Sequence, residues 1–224
     1  MKAPDAAGFD SQPGVRVRMY NVGFGDCFLL QFPDRVSPRL VLIDCGVHSA
    51  SKEGKPLKEI VDRVIADVKA LVGRPRIDVV VATHRHRDHV HGFDNPAWLD
   101  VEVGEVWLPW TENPVDPVAR ELLERQSRRA LQLSVLAADG GDERMEAIEA
   151  IADNTLKNAD AMAMLHHGFA GSPKRHFLPE ISEEGGEDDN GPARTLSFST
   201  SPCRRPPGDR HLATVHGVGI LPPR

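Results

Sequence analysis

Nowhere in this sequence does an apolar run reach the about 20 residues that a bilayer-spanning helix needs. Cysteine is scarce. The three present, Cys27, Cys45 and Cys203, are too few and too scattered for a disulfide framework. Excess positive charge is also missing. The net charge of −6 gives no general attraction to nucleic acid or to an anionic membrane. The stretch Met1 to Pro13 is small and polar and lacks the apolar middle of a signal peptide. No internal repeat is visible. Together these absences lead to the expectation of a cytoplasmic protein without a membrane partner. At 224 residues the default is one domain with a sizeable core.

What the chain does have is concentrated between Ile77 and Phe93, reading I-D-V-V-V-A-T-H-R-H-R-D-H-V-H-G-F. The β-branched run before Thr83 predicts a buried strand. Four candidate ligands follow at once: His84, His86, Asp88 and His89. Imidazoles and a carboxylate suit zinc, and also manganese or iron. Two histidines at i and i+2 leaving a strand can reach one ion, and Asp88 and His89 can serve a second. A pair of ions about 3.5–4 Å apart activates water and steadies a leaving oxygen. No cysteine lies near the cluster, which disfavours a closed structural zinc shell.

The rest of the chain frames this segment. Val15, Val17 and Met19 alternate with Arg16 and Arg18, the period of a half-buried strand. Gly23 and Gly25 mark a tight turn, Cys27 to Phe32 a second strand, and the pair reads as a hairpin. Cys27 and Cys45 read as core residues. Leu40 to Ile43 is a third strand, and Asp44 after it is placed to accept hydrogen bonds and orient ligands without binding metal. Asp26 is either a ligand or part of the turn. Residues 57–71 carry one apolar stripe from Leu57 to Leu71, with Pro56 and Gly73 at the ends, and predict a helix packed on the sheet. Gly92 to Leu99 reads as a short helix broken at Pro96, and Val103 to Leu108 as a strand. Trp107 and Trp110 read as core or rim residues rather than cleft lining.

Helices are predicted over Val118 to Leu136, with Leu122, Leu123, Ala130, Leu131 and Leu133 inward, and over Glu143 to Asn158. Ala138 to Asp142 is the turn between them. Ala159 to Leu165 also looks helical. Arg125, Arg128 and Arg129 form a basic cluster that reads as a solvated face. Glu180 to Asp189 reads as an acidic loop.

T-H-R-H-R-D-H resembles the metal-binding signature of the metallo-β-lactamase superfamily. Leu40 to Gly46 resembles the strand and Asp-x-Gly turn preceding that signature. Asn21 to Leu30 resembles the V-G-x-G-D segment of the superfamily's competence-type branch, associated with DNA uptake. The likeness covers residues 15–110 and then fades. It implies an α/β chain folded as an αββα sandwich, a 15–198 domain behind a leader at 1–14, and an irregular Pro/Arg-rich tail at 199–224. It implies a metal-dependent hydrolase with one or two zinc ions held by His84, His86, Asp88 and His89, Asp88 also orienting the nucleophile. The substrate would be an ester or phosphodiester, nucleic acid included. His91 stands where the family commonly has glycine, close to the metals.

The second half of such a domain is not recognisable. Asp142 lies between helical segments and is set aside as the superfamily's later bridging carboxylate. His166 and His167 have a capping or packing reading beside a ligand reading, with His167 the best local candidate for an additional ligand. Two expectations therefore stand. Either the chain is a truncated or degenerate domain without activity, or it closes its site with His166, His167, His211 or His216.

Overall fold

The computed structural model describes residues 14–138, 143–182 and 195–197. The leader, the Pro/Arg-rich tail with His211 and His216, the third cysteine and Asp142 lie outside the described residues.

Six strands form one mixed sheet in sequence order: β1 (Arg16–Met19), β2 (Cys27–Phe32), β3 (Arg39–Cys45), β4 (Arg76–Val81), β5 (Glu102–Pro109) and β6 (Lys174–Leu178). The first two pairings are antiparallel and the last three parallel. Helix α1 (Leu57–Val72) makes the crossover from β3 to β4. It ends at Gly73, whose φ of 77° is a left-handed conformation that glycine adopts without strain. Ile60, Val61, Val64 and Val68 of α1 are buried. They share one core with Leu29, Leu42, Val80 and Val106 of the sheet.

Helix α2 (Arg87–Val90) follows β4, and two 3-10 turns, His91–Asp94 and Pro96–Asp100, divide at the expected proline. Trp98 is fully buried and donates its indole N–H to the Gly92 carbonyl at 2.8 Å. Helices α3 (Pro117–Ala138) and α4 (Glu143–Leu156) pack on one another, and α5 (Ala159–His167) adds Ala161, Met162 and Leu165 to the sheet's core. No helix among the described residues is long and apolar enough to cross a membrane. A two-stranded ladder, β7 (Glu180–Ser182) with β8 (Thr195–Ser197), completes the described elements. The acidic segment therefore opens with a strand; its remainder lies outside the described residues.

Several faces differ from the sequence reading. In β1 the arginine side, not the valine side, turns inward. Arg18 pairs with Asp67 of α1, which is only 8 % exposed and also accepts from the Tyr20 hydroxyl at 2.9 Å and from Arg63. This buried carboxylate draws the polar side of the strand inward, leaving Val17 and Met19 62 % and 70 % exposed. The register then defines one row across the outer face: Met19, Phe28, Ile43, Val81, Trp107 and His176. Trp107 belongs to that largely half-buried row, is 37 % exposed with its indole bonded to Glu105 at 2.8 Å, and is not a core residue. In α3 small residues do the packing: Ala119, Ala130 and Ala137 are buried, while Leu131 faces solvent. Tyr20→Phe should cost about 1–2 kcal/mol, because it strips a buried carboxylate of a donor. Urea unfolding reads the loss; an unchanged midpoint would show that Asp67 is satisfied by its arginines alone.

Candidate metal centre

β4 delivers the polypeptide to the carboxyl edge of the sheet, between β3 and β5, where strand ends in parallel sheets expose their loops. Thr83 to His89 turns there. The anchor is Asp44 at the equivalent end of β3, 2 % exposed and at a φ of 54°. It accepts from the Thr83 N–H at 2.8 Å and the Thr83 hydroxyl at 2.7 Å. Asp44 Oδ2 also lies 2.8 Å from His89 Nδ1. A carboxylate only accepts, so His89 carries a proton on Nδ1 and presents Nε2 to the site. Thr83 Oγ1, having given its proton to Asp44, accepts from His84 Nδ1 at 3.1 Å, and His84 likewise presents Nε2.

Close packing brings this loop onto β3. A Cβ on Gly46 would come within 2.5 Å of the Asp88 carbonyl carbon and the His89 nitrogen, so only glycine lets the two backbones touch. The Gly23–Asp26 turn is fixed to the same place. Asp26 N–H donates to the Asp88 carbonyl at 3.1 Å, and Gly46 N–H to the Asp26 carbonyl at 3.0 Å.

The result is a cluster. One ligand atom from each of His84, Asp88 and His89 lies within 4.8 Å of the others, and Asp88 Oδ2 is 3.6 Å from His89 Nε2. A second grouping, Asp26, Asp44 and His89, meets the same distance. Its Asp26 Oδ2 stands 3.4 Å from His89 Nδ1. The His86 ring centroid is 4.8 Å from that of His84, at the rim of the cluster. His167 is exposed at the end of α5 and belongs to neither grouping. His91 turns to Arg87 at 2.7 Å and Asp94 at 3.2 Å, so its side chain serves α2 rather than the cluster.

Burial holds the His84 and His86 pKa values below the ordinary imidazole range, and for His84 the neighbouring histidines add to this. Burial pulls His89 the same way. The Asp44 hydrogen bond and the charges of Asp44, Asp88 and Asp26 more than offset it, so His89 is raised.

Two residues without any sequence signal complete the site. Asn154 of α4 donates its amide to Asp88 Oδ1 at 3.0 Å and accepts from the Asp88 N–H at 3.2 Å. Asn158, one turn on and 4 % exposed, donates to the Arg85 carbonyl, while Arg87 donates to the Lys157 carbonyl at 3.0 Å. The last turn of α4 and the two residues between it and α5 thus hold the loop at Arg85, Arg87 and Asp88. Asn158 lies beyond the end of α4, at the start of α5, so the two asparagines share no helix face that a sequence pattern could reveal.

These features define a mixed α/β chain with a histidine–aspartate cluster that can hold a metal ion. No protein-family model and no curated protein matches the chain. Among solved structures it is similar to a β-lactamase domain protein from Burkholderia ambifaria, at 24 % identity and a TM-score of 0.28. That match covers 45 % of this chain and spans 31 % of the other.

Proposed function

We propose that this chain is a metal-dependent hydrolase of the metallo-β-lactamase kind, using zinc, with manganese or iron as alternatives. The observation that carries this reading is the convergence of His84, Asp88 and His89 within 4.8 Å, at the end of a parallel strand. The donor set suits the metal: imidazole nitrogens and a carboxylate, with His89 backed by Asp44 in the manner of a carboxylate–histidine–zinc triad. In this reading His84 and His86 serve one ion, and Asp88 and His89 the same ion or a second. His167 is a candidate additional ligand. When bound, zinc supplies a water whose pKa falls towards about 7. Asp88, with Oδ1 held by Asn154, has Oδ2 left over and would use it to hold the metal or to accept a hydrogen bond from the nucleophilic water. Asp44 keeps His89 in one tautomer and one orientation.

The reaction proposed is hydrolysis of an ester or phosphodiester. The Val22–Asp26 likeness to the competence-type branch favours the phosphodiester, and the net charge of −6 speaks against a long nucleic-acid footprint. A second reading has its own observation: His86 and His167 stand outside the three-residue cluster. A truncated or degenerate domain would then bind one ion without turnover.

Elemental analysis of the purified chain, beside His86→Ala, tests the first step. About one or two equivalents of zinc, reduced in the variant, is the expected result. Less than about half an equivalent, unchanged in the variant, would sink the metal reading. Hydrolysis of bis(p-nitrophenyl) phosphate and p-nitrophenyl acetate, abolished by chelator and restored by zinc, separates the hydrolase from the non-catalytic binder.

A further inference from the structure

A groove of about 220 Å³ lies between α3 and α4, and His86 is among the residues that line it. Thr155 lines it; Asn154, the next residue back, holds Asp88. We propose that this groove binds a small oxyanion carrying a short apolar tail, an alkyl carboxylate or alkyl phosphate, and that this is the substrate portion seated beside the metal loop. The word substrate rests on the hydrolase reading; the binding does not.

Three observations carry the proposal. First, the walls are apolar and concave. Ala130 and Leu133 of α3 face Ile151 of α4, and Leu133 and Ile151 remain 37 % and 60 % exposed. Single exposed aliphatic residues are ordinary, but aliphatic residues gathered in a groove beside polar groups make a ligand surface. Second, Arg129 lines the groove and no acidic side chain does, so its field attracts an anion. The guanidinium offers a planar fork that matches carboxylate or phosphate oxygens. This gives one arginine of the exposed basic cluster a specific use. Third, the dimensions select a small ligand. At about 220 Å³, below the about 300–1,000 Å³ of ligand pockets generally, the groove holds at most a few-carbon ligand. The eight residues from Gln126 to Leu133 span about 10 Å of helix, the reach of a short alkyl chain rather than of a nucleic-acid strand.

The full chain, isotope-labelled and without added metal, is titrated with hexanoate, butyl phosphate and neutral hexanamide while its backbone amides are followed by NMR. Saturable shifts centred on Arg129, Leu133, Ile151 and Thr155 are expected. Hexanamide should bind about tenfold more weakly, about 1.4 kcal/mol. The tighter of the two anions identifies carboxylate or phosphate. Arg129→Met, at an exposed position, should erase the anion preference with the rest of the spectrum unchanged, and Ile151→Glu should abolish hexanoate binding. Equal affinity for hexanoate and hexanamide, or shifts outside the groove, would overturn the proposal, as would hexanoate binding unaltered in both variants. Hexanoate binding by a zinc-loaded chain that hydrolyses no ester leaves the groove assigned and the hydrolase reading refuted. Ester turnover with no ligand in the groove does the reverse.

Discussion

If the cluster binds zinc as proposed, replacing Asn154 by alanine should lower the affinity about 10–100-fold, the usual cost of losing a group that holds a metal ligand in place. The side chain touches no proposed donor atom other than through Asp88, so the effect has to pass through Asp88 geometry. Two bonds are lost together, the amide to Oδ1 at 3.0 Å and the acceptor for the Asp88 N–H at 3.2 Å. Asp88 Oδ1 is then free to rotate away from the orientation that leaves Oδ2 facing His89. Stability should change by no more than about 1–2 kcal/mol, because α4 keeps its other contacts. Competition with a chromogenic chelator measures the affinity, and thermal unfolding of the metal-free chain measures the fold. Asn154→Asp sharpens the result. It preserves an acceptor for the N–H but sets a second carboxylate against Oδ1, so zinc affinity should again fall. Unaltered affinity in both variants would mean that Asp88 does not ligate.

Asp44→Asn should act through a different ligand and carry a pH signature. The amide keeps the size and tolerates the positive φ, but it offers one neutral oxygen where the carboxylate offers two, and its NH2 must face either the Thr83 N–H or the Thr83 hydroxyl and His89 Nδ1–H. Hydrogen bonds to a charged acceptor contribute about 1.5–3 kcal/mol each, so destabilisation of the metal-free chain by about 2–4 kcal/mol is expected. The folded pKa of His89 is raised above the unfolded value of about 6.5. Its protonation therefore adds stability that is complete below that value and disappears as pH rises through the folded pKa. The asparagine variant should lose this increment, and its stability advantage at acidic pH should shrink. In the wild-type chain, NMR titration should place His89 above the ordinary imidazole midpoint, with His84 and His86 below it. A His89 midpoint unchanged by the substitution would show that Asp44 does not set its charge.

The sequence speaks clearly where the signal is local. Helix α1 is legible because Leu57 to Leu71 repeat at helical spacing and Gly73 stops them. The histidine–aspartate loop is legible because four candidate donors crowd behind one apolar strand, and the structure brings His84, Asp88 and His89 together. Where partners are distant, the reading weakens. Strand β6 reads Lys-Arg-His-Phe-Leu and shows no apolar alternation. Its Arg175 turns to the helix instead, donating to the Leu165 and Gly168 carbonyls at 3.2 and 2.8 Å and capping α5. The orientation of β1 depends on Asp67, 49 residues after Arg18 in the sequence, which no pattern of period two can reveal. Asn154 and Asn158 are ordinary residues until the chain returns to the loop. The basic cluster on α3 is visible in the sequence, but the groove that gives Arg129 a use exists only after α4 packs alongside.

The loop and its clamp are also separated in time. Asp88 and Asn154 lie 66 residues apart, and Arg85 and Asn158 lie 73 apart. At about 5–20 residues per second, a ribosome needs roughly 3–13 s to add the 66 residues between the first pair. For that interval the growing polypeptide carries every donor of the T-H-R-H-R-D-H run without the asparagine that holds Asp88. Closing a loop this long costs conformational entropy before any bond is returned, so the clamp is among the late events of folding. Metal captured by the nascent loop would be loosely held and exchangeable, and a firmly bound ion would be a property of the finished chain.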